Sequence, residues 1–442
     1  NVPNLIIKKY PTKYMVNETN YYKKKVKFET FDIIDTPMLK EQLEVYKKMI
    51  KLKEKNKDIS SIYSSETQVS NFIYQSLKEA KDNIINCYGE NGFKQIFKKK
   101  KNGTYIFKNE EHGKRFIGEN LKKYSNKIYI LLQNINKSDG PCFVFSKYVW
   151  GGLFPIIIAL EMNGYKLYNS STSYIENKYK SDIYKGDFII KSGTIKSKNI
   201  NEYISKKENM IKEPVKIFLG TETAAEGLNL YGYREVHILE PHFNLSLLEQ
   251  VIGRTIRKNS HSSLEISKRN VTIYLYASTN GIYESIDLYK YRLSHEKAYY
   301  IGNITKILKE EAIDCLLNFY ENNIINDKFI NKTVEIITSH NKIIKITLND
   351  KPYSKFCDYK KNCELKCVSN NKKKINNNKI ILIDNISNLI KNTEIYIINI
   401  VLENYIIKID DIVDLLNIKE YEICQIAILN ILKKKEIYDK KK

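Results

Sequence analysis

A chain of 442 residues has room for about three domains of ~150 residues each, and so for several buried cores. Lys and Arg number 73 against 51 Asp and Glu, a formal charge of +22, while 42% hydrophobic content excludes wholesale disorder. Such an excess favours a polyanionic partner, nucleic acid above all, over an acidic small molecule. Tyr at 34 against Trp at 1, with 17 Gly and 8 Pro beside abundant Lys, Asn and Ile, is what AT-rich codons supply, so part of the Lys excess reflects codon usage.

In chain order, residues 1–60 read as an entry segment. Alternation over Val26–Asp32 predicts a half-buried strand, and Met38, Leu43, Tyr46, Met49 and Ile50 after Pro37 predict a helix over Met38–Lys55. Residues 61–135, charged and interrupted by loops, read as a helical insertion whose basic run Lys98–Lys101 is either a solvated patch or a contact to phosphates. Residues 136–300 change character. Buried-type strands are predicted at Cys142–Ser146, Val215–Leu219, Glu235–Leu239 and Asn270–Ala277, with helices at Leu153–Asn163 and Leu245–Arg257 between them. Alternating strands and helices argue for an α/β fold with a parallel sheet. Residues 301–378 read as an accessory region with a helix Ile304–Asn318, short strands around a turn at Asn349-Asp350, and a cysteine-bearing loop Cys357–Asn378. The tail 379–442 gives amphipathic helices, with Ile407, Ile412, Leu415 and Leu416, then Ile423, Ile426, Leu429 and Leu432. It is either winged-helix-like or a small helical cap.

Seven cysteines without a pairing ladder fit a reducing compartment. No apolar run approaches the roughly eighteen residues a membrane span needs, and the basic stretch Asn1–Tyr22 does not read as a signal peptide. The expectation is an intracellular, cytoplasmic protein with no membrane partner. Asn1 in place of an initiating Met suggests processing or a fragment.

The most informative stretch is Gln250-Val251-Ile252-Gly253-Arg254-Thr255-Ile256-Arg257. On a helix Arg254 and Arg257 share a face, with Gln250 a turn earlier, and two guanidiniums suit charge developing on phosphate oxygens. The bland alternative is an amphipathic helix with two solvated arginines. Upstream, Gly220-Thr221-Glu222-Thr223-Ala224-Ala225-Glu226-Gly227 follows a buried strand and offers small residues and hydroxyls where backbone meets phosphate.

This order resembles the C-terminal, RecA-like lobe of superfamily 2 helicases and translocating ATPases. The resemblance implies that Gly220, Thr221, Glu226 and Gly227 match motif V, which couples nucleotide to nucleic acid. It implies equally that Gln250, Gly253, Arg254 and Arg257 match motif VI, with the arginines and Gln250 in catalysis at the γ-phosphate of ATP–Mg²⁺. Further stretches resemble the helicase-like transcription factors of large cytoplasmic DNA viruses, of the poxvirus early transcription factor small-subunit type, with relatives on yeast linear plasmids. These are Ser70-Asn71-Phe72, Tyr88-Gly89-Glu90-Asn91-Gly92-Phe93, Gly140-Pro141-Cys142-Phe143-Val144-Phe145-Ser146 with Val149-Trp150-Gly151-Gly152, and Glu240-Pro241-His242-Phe243-Asn244. That kinship implies DNA, a second transcription-factor subunit and RNA polymerase as partners, and a role in early promoter opening or initiation. Nucleic-acid contacts would come from Ser146, Tyr148, Trp150 and Thr223, although core packing is the other reading of Trp150.

The sequence contains no G-x-x-x-x-G-K-[ST] loop; His112-Gly113-Lys114-Arg115 is not one. In the family that loop and the carboxylate pair for Mg²⁺ belong to an N-terminal lobe, so the chain alone is expected to be inactive. A non-catalytic DNA-binding or scaffolding subunit, a transcription-termination ATPase and a chromatin-type remodeller stay open as alternatives. Cys357, Cys363 and Cys367 fall within one polar loop and, with Cys315 on the preceding helix, form a candidate Zn²⁺ set; unpaired thiols are the other reading. Cys87, Cys142 and Cys424 read as ordinary buried thiols, and His237 as structural.

Overall fold

Short runs rich in β-branched and aromatic side chains, bounded by Gly, Pro and charged residues, set the architecture. The structure, a computed structural model, describes residues 4–7, 33–56, 63–195, 200–205, 210–211, 214–224, 228–315, 333–337, 343–347, 355–360, 363–368, 390–399 and 421–434. They fall into two units, Asn1–Lys366 and Cys367–Lys442.

In the first unit the strands are β1 (Asn4–Ile7), β2 (Ile34–Pro37), β3 (Phe97–Lys99), β4 (Tyr105–Phe107), β5 (Cys142–Phe145), β6 (Tyr165–Leu167), β7 (Ile175–Glu176), β8 (Gly186–Lys191), β9 (Ile217–Gly220), β10 (Glu235–Ile238), β11 (Asn270–Thr279), β12 (Thr333–Ile337) and β13 (Ile343–Thr347). The principal helices are α1 (Lys40–Asn56), α2 (Ser64–Asn71), α3 (Gly89–Ile96), α4 (Asn120–Lys137), α5 (Phe154–Met162), α6 (Ile200–Ser205), α7 (Leu245–Ile252) and α8 (Ile286–Glu311). An eight-stranded sheet runs in the order β1-β11-β10-β5-β9-β8-β6, with β2 also beside β11. Every pairing in it is parallel. The α/β fold with a parallel sheet expected from the sequence is therefore present.

Side chains alternate across the sheet as a period of two requires. Cys142, Val144, Ile217, Leu219, Phe188 and Ile190 face one core with α4 and α5. Phe143, Phe145, Phe218, Ile189, Val236 and Ile238 face the other, where Leu248 and Val251 of α7 and Leu288 and Tyr291 of α8 pack. Both faces are covered, which explains why these strands read as near-continuous apolar runs.

The segment between α1 and β5 shares the first of these cores through Phe72, Phe93, Phe116 and Leu131. It also adds a small sheet, β3-β4-β7, in which β4 pairs in parallel with β7 from beyond β5. Residues 61–135 thus contain two strands as well as helices, and are stitched to the lobe by a backbone ladder.

Other expectations shift. The predicted helix Ile304–Asn318 is the end of the longer α8, which starts at Ile286 and stops at Glu311, where Ala312 turns extended. Two short strands do occur, β12 paired antiparallel with β13, but both precede Asn349-Asp350, which lies outside the described residues. The strand Val26–Asp32 lies outside the described residues. In the second unit, helices cover 390–399 and Tyr421–Lys434, and Ile397 packs with Ala427 and Ile431. The residues of the tail that would form a β-wing lie outside the described residues. No described helix is long and apolar enough to cross a membrane.

Candidate nucleotide and nucleic-acid site

In a parallel sheet, ligands gather at the carboxyl ends of the strands. In this one, those ends are Ser146 after β5, Gly220–Thr221 at β9, Glu240 after β10 and Ser278–Thr279 of β11. Backbone bonds tie them together, since Ser146 N donates to Gly220 O at 3.1 Å and Leu239 N to Phe145 O at 3.0 Å. Gly220 is required by close approach. A Cβ there would stand 2.6 Å from the Cβ of Ala224 and 2.9 Å from the Phe143 ring. Thr221 is nearly buried, its hydroxyl 3.2 Å from that of Thr223, which is exposed on the single turn Glu222–Ala224. Glu226 and Gly227 lie outside the described residues.

The arginine stretch is not one helix. α7 ends at Ile252, with Gly253 as its cap, and Arg254 and Thr255 follow in a turn whose amides bond Val251 O and Ile252 O. The expected common helical face is therefore absent, and the two arginines part company. Arg254 is buried, at 8% exposure, and its Nη1 donates to Leu228 O at 3.4 Å while its carbonyl accepts from Leu230 N at 2.9 Å. Arg257 is exposed; its Nε donates to Gly253 O at 3.0 Å and its Nη1 to the Asn229 side-chain oxygen. Both arginines thus grip residues 228–230, which follow the Gly220–Gly227 stretch in sequence. Gln250 is exposed on α7.

Behind the strand ends lies a buried polar network that sequence reasoning missed. Glu240 accepts from Ser146 Oγ at 3.1 Å, from the Lys147 amide, and from Asn71 Nδ2 at 3.0 Å. Lys127 Nζ donates to Asn71 Oδ1 at 2.8 Å and to Asp287 Oδ2 at 2.6 Å, with both charged groups fully buried. Asp287 also accepts from Ser70 Oγ and Ser278 N. Burial raises the Glu240 carboxyl above its ordinary range even against these donors. Lys290 donates to the Thr67 hydroxyl and lies over the rings of Tyr148 and Phe243; burial pushes its ammonium down to about 8. Asn71 and Glu240 both sit in stretches that carry the viral resemblance, and that was the one signal available.

Tyr148 is half-buried beside Lys290, and Lys147 pairs with Glu222 at 3.1 Å. Trp150 leans on Phe93 and Phe154, with ring centroids 4.8 and 5.0 Å away, and so belongs to the core. The zinc expectation needs correction. Cys357 and Cys363 are joined in a disulfide, which leaves neither as the thiolate that zinc requires, so the set Cys315, Cys357, Cys363 and Cys367 is not a four-thiolate centre. Cys87 and Cys142 are buried free thiols as read.

Residues 126–259, which include Gly220–Gly227 and Gln250–Arg257, match the helicase conserved C-terminal domain. The chain carries a superfamily 2 helicase C-terminal lobe.

Large DNA viruses hold relatives of this lobe. Helicase 087L, as it is named, of Invertebrate iridescent virus 3 is 33% identical over 219 residues, 48% of this chain and 22% of that one. The mimivirus protein named as ATP-dependent RNA helicase R563 is 30% identical over 199 residues, 45% of this chain and 34% of that one. A termination factor NPH-I homolog of African swine fever virus is 29% identical over 234 residues, 44% and 33% of the two chains. The matches thus span only 22–34% of these relatives' length. The solved C-terminal part of the Fun30 ATPase domain has a TM-score of 0.38 at 14% identity, over 66% of this chain and 90% of that one, too loose to carry an argument.

The helicase lobe's described donor suits an anion such as ATP phosphate: an exposed guanidinium, that of Arg257, held from two sides. The described carboxylates at the strand ends do not suit Mg²⁺, because Glu222, Glu240 and Asp287 are each engaged by cations or donors.

Proposed function

We propose that this lobe is the second half of a nucleic-acid-dependent ATPase site acting in viral or plasmid transcription, with DNA as the tracked strand and promoter opening at early genes as the task. The observation that carries this reading is the double grip of Arg254 and Arg257 on residues 228–230, which links the phosphate-facing arginine to the stretch that meets nucleic acid. Arg257, exposed and anchored, is the group that reaches the γ-phosphate. Arg254 is a positioning residue. ATP supplies the cleavable phosphoanhydride, and a second lobe supplies the phosphate-binding loop and Mg²⁺ ligands, so the chain alone is expected to be inactive. A second transcription-factor subunit and RNA polymerase complete the proposed assembly.

The test is DNA-stimulated ATP hydrolysis by the full-length polypeptide carrying Arg257→Ala. A loss of ~10³-fold supports the assignment by analogy with arginine fingers, and near-wild-type turnover overturns it. A second reading, transcription termination, is favoured by the African swine fever virus relatives named as termination factors. Release of transcripts from a stalled polymerase, without an effect on open-complex formation, would select it.

A further inference from the structure

At the opposite edge of the sheet, where the strands begin, two central strands break their apolar pattern. β5 opens with Cys142 and β10 with Glu235, and the parallel register sets these two residues side by side, with His237 two positions along on the same face. The rest of both strands is hydrocarbon or aromatic: Phe143, Val144 and Phe145, then Val236 and Ile238. A thiol, a carboxylate and an imidazole together in such a core carry a desolvation cost that nothing in the arginine site explains.

Their geometry is convergent. Glu235 Oε2 stands 3.0 Å from His237 Nε2 and 3.7 Å from Cys142 Sγ, and the three donor atoms lie within 4.8 Å of one another. Bonds of ~2.0 Å to N and O and ~2.3 Å to S, arranged tetrahedrally, separate donor atoms by about 3.3–3.6 Å. The far side of the imidazole is already oriented. His237 Nδ1 lies 2.9 Å from the Tyr276 hydroxyl, which itself accepts from Asn134 Nδ2 at 2.9 Å, and the Tyr274 ring stacks on the imidazole at 4.5 Å. A metal-binding histidine is ordinarily fixed in this manner through its other nitrogen. Access exists as well: Cys142 and His237 are buried, but the Glu235 side chain keeps 12% exposure. Ser138 interacts with both Cys142 and Glu235, which places one more oxygen beside them.

We propose that Cys142, Glu235 and His237 form a structural site for a borderline-soft divalent cation, zinc in class, that braces β5 against β10. One S, one N and one O donor select such an ion over Mg²⁺ or Ca²⁺, which prefer all-oxygen sets. Thiolate and carboxylate together offset the two positive charges, and the thiol proton leaves to solvent on binding. Ser138 or a water completes the coordination. The brace shares no residue with the arginine site and is independent of the proposed ATPase role.

The experiment titrates the whole 442-residue chain with Co²⁺ alone, without reductant so that the Cys357–Cys363 disulfide stays closed. The expected result is a thiolate-to-cobalt charge-transfer band saturating at one equivalent and displaced by Zn²⁺. The band should vanish in Cys142→Ser and persist in Cys357→Ser. No band, or a band lost in Cys357→Ser but retained in Cys142→Ser, overturns the proposal. If circular dichroism shows Cys142→Ser unfolded, Glu235→Gln decides, because its side chain reaches solvent. At least tenfold weaker Co²⁺ binding is expected, and unchanged affinity rejects the site.

Discussion

Asn71 at the end of α2 donates from its side-chain nitrogen to Glu240 at the end of β10 across 3.0 Å, while its oxygen accepts from Lys127. One amide thereby holds a buried carboxylate and a buried ammonium in register. Asn71→Ala removes a partner from both charges, and a buried polar group left short of partners costs more than the bond it lost. We expect about 2–4 kcal/mol of destabilisation, read as a shifted urea midpoint; a change under about 0.5 kcal/mol would show that water replaces the amide freely.

The two arginines separate by burial. Arg254→Ala should cost about 2 kcal/mol in stability, because it removes a buried cation from the 228–230 segment, whereas exposed Arg257→Ala should stay within about 0.5 kcal/mol. Thermal unfolding of both variants checks this, and equal losses would contradict the division of roles.

Gly220→Ala puts a methyl group into the side chains of Ala224 and Phe143. Overpacking of this kind costs about 1–3 kcal/mol and should displace the Thr221 turn from the end of β9. Pairing the variant with Phe143→Leu should recover part of the loss, as judged by denaturant unfolding.

Lys290 predicts a pH dependence. Its folded pKa, about 8, lies below the ordinary lysine value of 10.5, so above pH 8 the unfolded chain binds more protons at this site than the folded one. Its contribution to stability therefore rises with pH from about 8 towards 10.5. Buried Tyr74, Tyr233, Tyr276 and Tyr291, whose hydroxyls burial pushes upward, oppose this near and above pH 10. The difference in unfolding free energy between wild type and Lys290→Gln, followed from pH 7 to 9.5, should change with the sign of one proton. A flat difference would place the ammonium in solvent.

Much of this was legible before the structure. β5, β9, β10 and β11 announce themselves because strands covered on both faces carry near-continuous apolar runs, and the Gln250–Arg257 stretch holds the two arginines that bond residues 228–230. β3 and β4 are three residues long, and β3 carries two lysines, so both are too brief for periodicity to register. The start of α8 was missed because its first turns bury Asp287 and Lys290, residues that a hydropathy reading assigns to solvent. The same confusion hid Lys127: a lone lysine in a sequence gives no sign that its partner stands 160 positions away. The helical face assumed for the arginines failed at Gly253, where α7 stops. Cysteine spacing, for its part, says nothing about oxidation, and Cys357–Cys363 took the disulfide instead of the metal.

The placement of β2 beside the end of β11 has a consequence for biosynthesis. Ile34–Pro37 finds its ladder partner only when Tyr276–Thr279 has been made. At 5–20 residues per second, the ribosome needs roughly 10–50 s to span that interval. Throughout it the early strand has no neighbour, and the central sheet lacks the strand that β1 and β2 require. Nascent chains cut short before β11 should therefore be captured by chaperones or aggregate, whereas those extending past α8 should resist proteolysis.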